Sequence, residues 1–235
     1  MVKHIGIVAS SCEGAALCYR RICQAAAQRM GPYRHPEISL HNLPLADYIA
    51  AIHAGDWTKI GEMMLVSAER LAACGADFVI TPDNTLHHAQ PHAAAASPIP
   101  WLSMIRLVAE KLADEGHKAV GLLGTRFVMS GSAYQSILGL KGIPVYIPPA
   151  EEIERLDHII FEELVYGIIK KESRDAYIDA IGDFRRRGCT AVILGGTELP
   201  LLVRPDDSPL AAYDSTSILA HGALDVALGE VGVIQ

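Results

Sequence analysis

Asp83 is the residue on which acid–base chemistry could turn. It stands in the run Thr81-Pro82-Asp83-Asn84-Thr85-Leu86-His87-His88, where a carboxylate is followed by an amide and a hydroxyl. A carboxylate becomes a general base near neutral pH when desolvation raises its pKa. Three other short runs share this polar character: Ala9-Ser10-Ser11-Cys12-Glu13, Gly124-Thr125-Arg126-Phe127 and Gly195-Gly196-Thr197-Glu198-Leu199. Each follows an apolar run and precedes a helical pattern, so each reads as a loop from a strand into a helix. Helix N-termini offer free N–H groups and positive partial charge, which favour a bound carboxylate. Ser11, Asn84, Thr85, Thr125 and Thr197 would add side-chain hydrogen bonds. The same residue types cap helices and loops everywhere, so capping is the competing reading for each.

Other chemistries lack their pattern. The first strand is not followed by a Gly-rich phosphate turn, and no Walker-type loop exists. No Gly-x-Ser-x-Gly elbow marks a hydrolase nucleophile. His87, His88 and His92 invite a metal reading, but Pro91 would disturb a helix between the last two, and no Cys or acidic cluster completes a site. A solvated or capping role is expected for these histidines. The net charge of -7, with no basic stripe, argues against a nucleic-acid partner. Arg185-Arg186-Arg187 reads as a solvated helix end interacting with the dipole. The five cysteines, Cys12, Cys18, Cys23, Cys74 and Cys189, are odd in number and follow no secretory signal, which argues against a disulfide framework. No apolar run is long enough to span a membrane. A cytoplasmic protein is expected, without a membrane partner.

The elements that must position these loops follow from hydrophobic pattern. A chain of 235 residues, half of them hydrophobic, suits two lobes with buried cores. Short apolar runs at Ile5–Val8, Ile38–Leu43, Asp77–Thr81, Pro100–Met104, Ala119–Leu123, Val145–Ile147 and Ala191–Leu194 read as strands. Helical patterns cover Glu13–Met30, Trp57–Cys74, Ser103–Glu115, Ile153–Lys170 and Ser173–Arg187. This alternation means α/β architecture with parallel sheets flanked by helices. Gly75-Ala76-Asp77-Phe78-Val79-Ile80 lies over Gly188-Cys189-Thr190-Ala191-Val192-Ile193, and Ile5-Gly6-Ile7-Val8 over Val120-Gly121-Leu122-Leu123, at nearly equal spacing. Two pseudo-symmetric lobes follow, with residues 1–115 plus 210–235 in the first and 116–209 in the second. Asp214-Ser215-Thr216 would cap a last helix that returns to the first lobe. Ligands of parallel sheets sit outside the carboxyl ends of the strands, so a ligand cleft between the lobes is expected.

Thr81 to His87 resembles the Cys-Asn-Thr-x-His loop of the aspartate/glutamate racemase family. Gly195-Gly196-Thr197-Glu198-Leu199-Pro200-Leu201-Leu202 is similar to that family's Gly-Cys-Thr-Glu-Leu-Pro-Leu-Leu loop, and Leu122-Leu123-Gly124-Thr125 to its carboxylate-binding turn. Ser11 to Arg20 resembles its first loop and helix. The resemblance runs over the whole chain in order. It implies cofactor-free chemistry at the α-carbon of a small acidic amino acid or dicarboxylate, probed from two faces by two thiols, in a protein that forms a homodimer. By position, Ser11, Asn84, Thr85, Thr125 and Thr197 would hold the substrate, and Glu198 would orient its ammonium or a neighbouring group.

The two cysteine positions are occupied by Asp83 and Gly196. Asp83 retains a usable base; Gly196 has no side chain to carry a proton. Cys12 alone among the cysteines lies in one of the four loops. Three readings follow: an isomerase-type enzyme with Asp83 as single base, a weak or inactive relative that binds acidic amino acids or dicarboxylates, or a replacement of cysteine at 196 by a single-nucleotide change.

Overall fold

The structure, a computed structural model, describes residues 1–233. In chain order the elements begin with β1 (Ile5–Ala9), α1 (Cys12–Met30), β2 (Ile38–Asn42), α2 (Leu45–Ala54), α3 (Trp57–Ala73) and β3 (Phe78–Ile80). A 3-10 turn at Thr85–His88 leads into α4 (Gln90–Ala96) and α5 (Met104–Asp114). The chain continues through β4 (Val120–Gly124), α6 (Arg126–Ser130), α7 (Ala133–Leu140), β5 (Val145–Tyr146) and α8 (Ala150–Glu162). It ends with α9 (Lys171–Arg186), β6 (Ala191–Gly195), α10 (Leu199–Leu202), β7 (Ala211–Asp214) and α11 (Ser215–Leu228). Two compact units result: Met1–Leu107 with the segment from Thr216 onward, and Val108–Ser215. The first crossing falls inside α5, ahead of the Asp114–His117 turn.

The first unit holds a parallel sheet in the order β2-β1-β3. Ile5, Ile7 and Val8 of β1 and Phe78, Val79 and Ile80 of β3 are fully buried, as a strand covered on both faces requires. α1 buries Leu17, Cys18, Ile22 and Ala26 on one side. Its later turns meet α11, where Ala25 and Ala26 pack on Leu224, and Arg29 pairs with Asp225 and Glu230 at 2.6 and 2.5 Å. The final helix therefore belongs to this unit. The Pro100–Met104 run forms only a bridge from Trp101 to Val79 instead of a strand. Pro98 and Pro100 have no N–H to offer a ladder, and Ser103 turns the chain into α5 by accepting the Arg106 N–H at 3.4 Å.

The second unit repeats the plan with a parallel sheet in the order β5-β4-β6-β7. Its first three strands stand to one another as β2, β1 and β3 do, and β7 extends one edge. Gly6 and Gly121 occupy the same place in β1 and β4. A β-carbon on Gly6 would lie 2.8 Å from Val79 Cγ1, and one on Gly121 would lie 2.1 Å from Phe184 Cδ2. Each lobe is thus a parallel β-sheet flanked by α-helices. Among the described residues no helix is long and apolar enough to cross a membrane.

Candidate active site

In the first unit, β1 and β3 run side by side with Ile7 opposite Ile80, so the loops that leave them are neighbours. Asp83 joins the two. Its Oδ1 accepts the N–H of Thr85 at 2.8 Å and of Leu86 at 3.3 Å, and Oδ2 accepts the hydroxyl of Ser10. One oxygen thus caps the 3-10 turn while the other ties β3's loop to β1's. Burial pushes the Asp83 pKa up; Ser10 and the two backbone N–H groups pull it back, and the net direction is upward. Asn42 at the end of β2, with its amide nitrogen turned inward, donates to the carbonyls of Ala9 and Ser10 at 3.0 and 3.1 Å.

Ser11 is the N-cap of α1, its hydroxyl accepting the Gly14 N–H at 3.2 Å. Asn84 and Thr85 are buried beside Asp83. Cys12 is exposed in the first turn of α1. Cys18 is buried within that helix and its thiol is pushed up to about 12 by burial. Cys74 and Cys189 precede the amino ends of β3 and β6, away from these loops.

His87 corrects the expectation of a solvated or capping side chain, whereas His92 is exposed as expected. His87 is 5% exposed; its Nδ1 donates to the Asp83 carbonyl at 2.8 Å, which leaves the lone pair on a buried Nε2 with no hydrogen-bond partner. Burial lowers its pKa to about 4, so the ring is neutral. The 3-10 turn carries His87 inward, whereas His88 is half-buried and lies against Trp57 with ring centroids 5.0 Å apart. His92 lies in α4 against Gly61 of α3, where a β-carbon would come within 2.5 Å of His92 Cδ2. Pro91 does not disturb α4, because it stands in the first turn, where its missing N–H has no partner to lose. Among the described residues no group of three His, Cys, Asp or Glu side chains could hold a metal ion.

In the second unit, Gly124 of β4 is opposite Gly195 of β6, which makes Thr125 and Gly196 the first residues beyond two adjacent strands. The backbones come close: a β-carbon on Gly124 would lie 2.6 Å from the Gly195 carbonyl oxygen. Thr125 caps α6, accepting the Val128 N–H at 3.3 Å. Thr197 and Glu198 are each 5% exposed. Tyr177 donates to the Leu156 carbonyl at 2.9 Å, and its phenol is raised by burial and then by the charges of Asp157 and Glu198. Glu198 therefore shares its surroundings with a second buried carboxylate, Asp157. That residue accepts the Arg126 N–H at 2.7 Å, while the Arg126 guanidinium lies over the Phe127 ring at 4.8 Å.

Gly196 is buried, and the space a side chain would take is already claimed. A β-carbon there would lie 2.9 Å from Leu199 Cγ and 3.7 Å from Ile160 Cδ1. Ser10, Asn42 and Asp157 bond to these loops although the sequence motifs gave them no role. Ser10 precedes Ser11 in the first loop; Asn42 and Asp157 reach the loops only through the fold.

The chain matches the family model described as Asp/Glu/Hydantoin racemase over residues 5–223. It is similar to the crystal structure of a candidate Asp/Glu racemase from Yersinia pestis, with 32% identity and a TM-score of 0.87 over 96% of this chain and 99% of that one. An aspartate racemase homologue from Pyrococcus horikoshii superposes with 28% identity and a TM-score of 0.82, covering 96% of this chain and 99% of the other. An aspartate racemase from Picrophilus torridus, at 22% identity and a TM-score of 0.78, shares the fold over 96% of this chain and 94% of its own.

Proposed function

Because the chain belongs to the Asp/Glu/hydantoin racemase family, we propose that it is a cofactor-independent enzyme acting at the α-carbon of a small acidic amino acid or dicarboxylate, with Asp83 as its single base. The observation that carries this reading is the setting of Asp83. Burial raises its pKa toward the range where it can accept a carbon-bound proton, while Ser10 and two backbone N–H groups hold the carboxylate in one orientation. Ser11, Asn84, Thr85, Thr125 and Thr197 hold the substrate carboxylates by hydroxyl, amide and helix-terminal N–H groups, and Glu198 orients the ammonium. Donors on the α-carboxylate stabilise the carbanion-like species that proton removal creates.

A single base sets the outcome. With no proton carrier at Gly196, the proton returns to the face it left. The test is incubation with L- and D-aspartate and L- and D-glutamate in D2O, followed by NMR. One enantiomer should gain deuterium at the α-carbon with retention of configuration. Asp83→Asn should lower that exchange by at least about a hundredfold, in line with the weight of a general base. The amide oxygen can still cap the 3-10 turn, so this variant should fold. Exchange that is equal in Asp83→Asn and the parent would remove Asp83 from the chemistry.

The second reading, ligand binding without turnover, is favoured by Leu199, which occupies the space at Gly196. A ligand-dependent rise in melting temperature with no α-proton exchange for any of the four acids would select it.

A further inference from the structure

Ser11 and Thr125 hold the same place in the two units: each is the N-cap of the helix that follows β1 or β4. Each hydroxyl accepts the N–H three residues on, a bond that fixes the cap against its own helix. The loop must also be fixed against the rest of its unit. In the first unit this is done from outside the loop, by Asn42 of β2 and by Asp83 through Ser10. In the second unit the hold comes from α8. Asp157 Oδ1 accepts the Arg126 N–H at 2.7 Å, next to the Thr125 cap. One turn further along α8, Ile160 Cδ1 would lie 3.7 Å from a β-carbon on Gly196. A single helix thus reaches both candidate loops of this unit, one with a carboxylate and one with a methyl group.

α8 is itself firmly placed. Ile153, Leu156, Ile159 and Ile160 are buried in the core of the unit, and the Tyr177 hydroxyl of α9 donates to the Leu156 carbonyl at 2.9 Å. Asp157 stands among these residues and is 8% exposed. Burying a carboxylate costs free energy unless hydrogen bonds compensate it. The first N–H of a helix has no partner within the helix and sits at the positive end of its dipole, so a carboxylate suits it best. A charged acceptor also makes a shorter and stronger bond than a neutral one. The Arg126 guanidinium contributes little to this hold. Its nitrogens are 3.9 Å from Asp157 and 3.9 Å from Glu154, beyond hydrogen-bond distance. We infer that Asp157 is a positioning residue for Thr125: it ties the β4–α6 loop to α8 and so sets the cap where the ligand meets it. The inference rests on the reading of Thr125 as a substrate-binding residue.

The experiment measures α-proton exchange in D2O as a function of concentration, for whichever of the four acids the parent exchanges. Asp157→Ala should raise KM by about tenfold or more and leave kcat within about threefold, the pattern of a lost binding contact. Asp157→Asn keeps an acceptor for the Arg126 N–H and should recover most of that loss, with KM about threefold above the parent for the weaker neutral bond. Amide hydrogen exchange gives a readout at the loop itself. The Arg126 amide should lose protection in Asp157→Ala, while that of Met129, bonded to the Thr125 carbonyl at 2.9 Å, keeps it. A carboxylate with a merely structural role would change the melting temperature and leave KM where it was. An unmoved KM in both variants of an exchanging parent overturns the inference, and Asp157→Asn decides alone if Asp157→Ala does not fold. If the parent binds an acid without exchanging it, the catalytic reading fails and the same comparison passes to ligand affinity, which Asp157→Ala should weaken by the same factor. A parent that neither exchanges nor binds any of the four removes the role of Thr125 and this inference with it.

Discussion

Cysteine at position 196 would put a β-carbon 2.9 Å from Leu199 Cγ and 3.1 Å from its Cδ1. Leu199 is fully buried, so its side chain has little room to turn aside. The backbone of Gly196 is not left-handed, and the obstacle is therefore steric and local. Overpacking of this kind costs about 1–3 kcal/mol. Gly196→Cys alone should lower the melting temperature and gain little racemisation, because the thiol is held by a distorted loop. Gly196→Cys with Leu199→Ala clears the space and should convert D2O exchange with retention into exchange with inversion, read by chiral chromatography of the products. The two changes touch one another, so their stabilities will not add. No inversion from the double variant would mean that position 196 does not address the α-carbon. The contrast with Asp83 is chemical: one loop keeps a carboxylate already fixed by three hydrogen bonds, and the other has given its space to a leucine.

At the scale of elements, one device recurs in both units. α3 ends with Gly75 at φ 90° and α9 ends with Gly188 at φ 87°. The N–H groups of Gly75 and Ala76 return to the carbonyls of Ala72 and Leu71 at 2.9 and 3.0 Å. Those of Gly188 and Cys189 return to Arg185 and Phe184 at 3.1 and 3.0 Å. This left-handed cap turns each helix into the strand that leads to the candidate loop of its own unit. A β-carbon on Gly188 would meet nothing within 4 Å, and one on Gly75 would meet only His4 Nδ1 at 3.8 Å. Gly75→Ala and Gly188→Ala should therefore each cost about 1–2 kcal/mol in denaturant melts, from conformation alone. A neutral result at either would show that the turn is not left-handed. Such turns, and the β1, β3, β4 and β6 strands they serve, were legible because glycine and a run of buried apolar residues stand together. β7 was not: Ala211-Ala212-Tyr213-Asp214 is a half-exposed edge with no β-branched residue to mark it. The predicted helix through Lys170 stops at Glu162, and Gly167 at φ 72° closes the 3-10 turn that follows. Of the site, the loop residues were readable from strand-to-helix spacing. Asn42 comes from β2 with no motif to mark it, and only the pairing of β2 with β1 brings its amide to the carbonyls of Ala9 and Ser10.

For the molecule as a whole, the same two residues couple the site to stability, with opposite signs. His87 titrates at about 4 in the folded chain against an ordinary 6.5. Between those values the unfolded chain binds the extra proton, so stability is fully present above pH 6.5 and is lost as pH falls toward 4. The shift corresponds to roughly 3 kcal/mol, an order of magnitude that holds because the ring is almost wholly buried. Asp83 works the other way. Its folded pKa is raised from 3.8, so the folded chain keeps the proton longer, and stability declines as pH rises through that interval. His87 should dominate the upper part of the acid limb, with Asp83 offsetting it toward the lower end. Urea unfolding of the parent, His87→Asn and Asp83→Asn at pH 7, 5.5 and 4.5 separates the two. His87→Asn keeps a donor for the Asp83 carbonyl but cannot titrate, and it should flatten the loss between pH 7 and 4.5. Asp83→Asn removes the opposing contribution and should steepen it. If His87→Asn keeps the parental slope, the acid sensitivity arises from other groups and burial does not hold His87 neutral through this range.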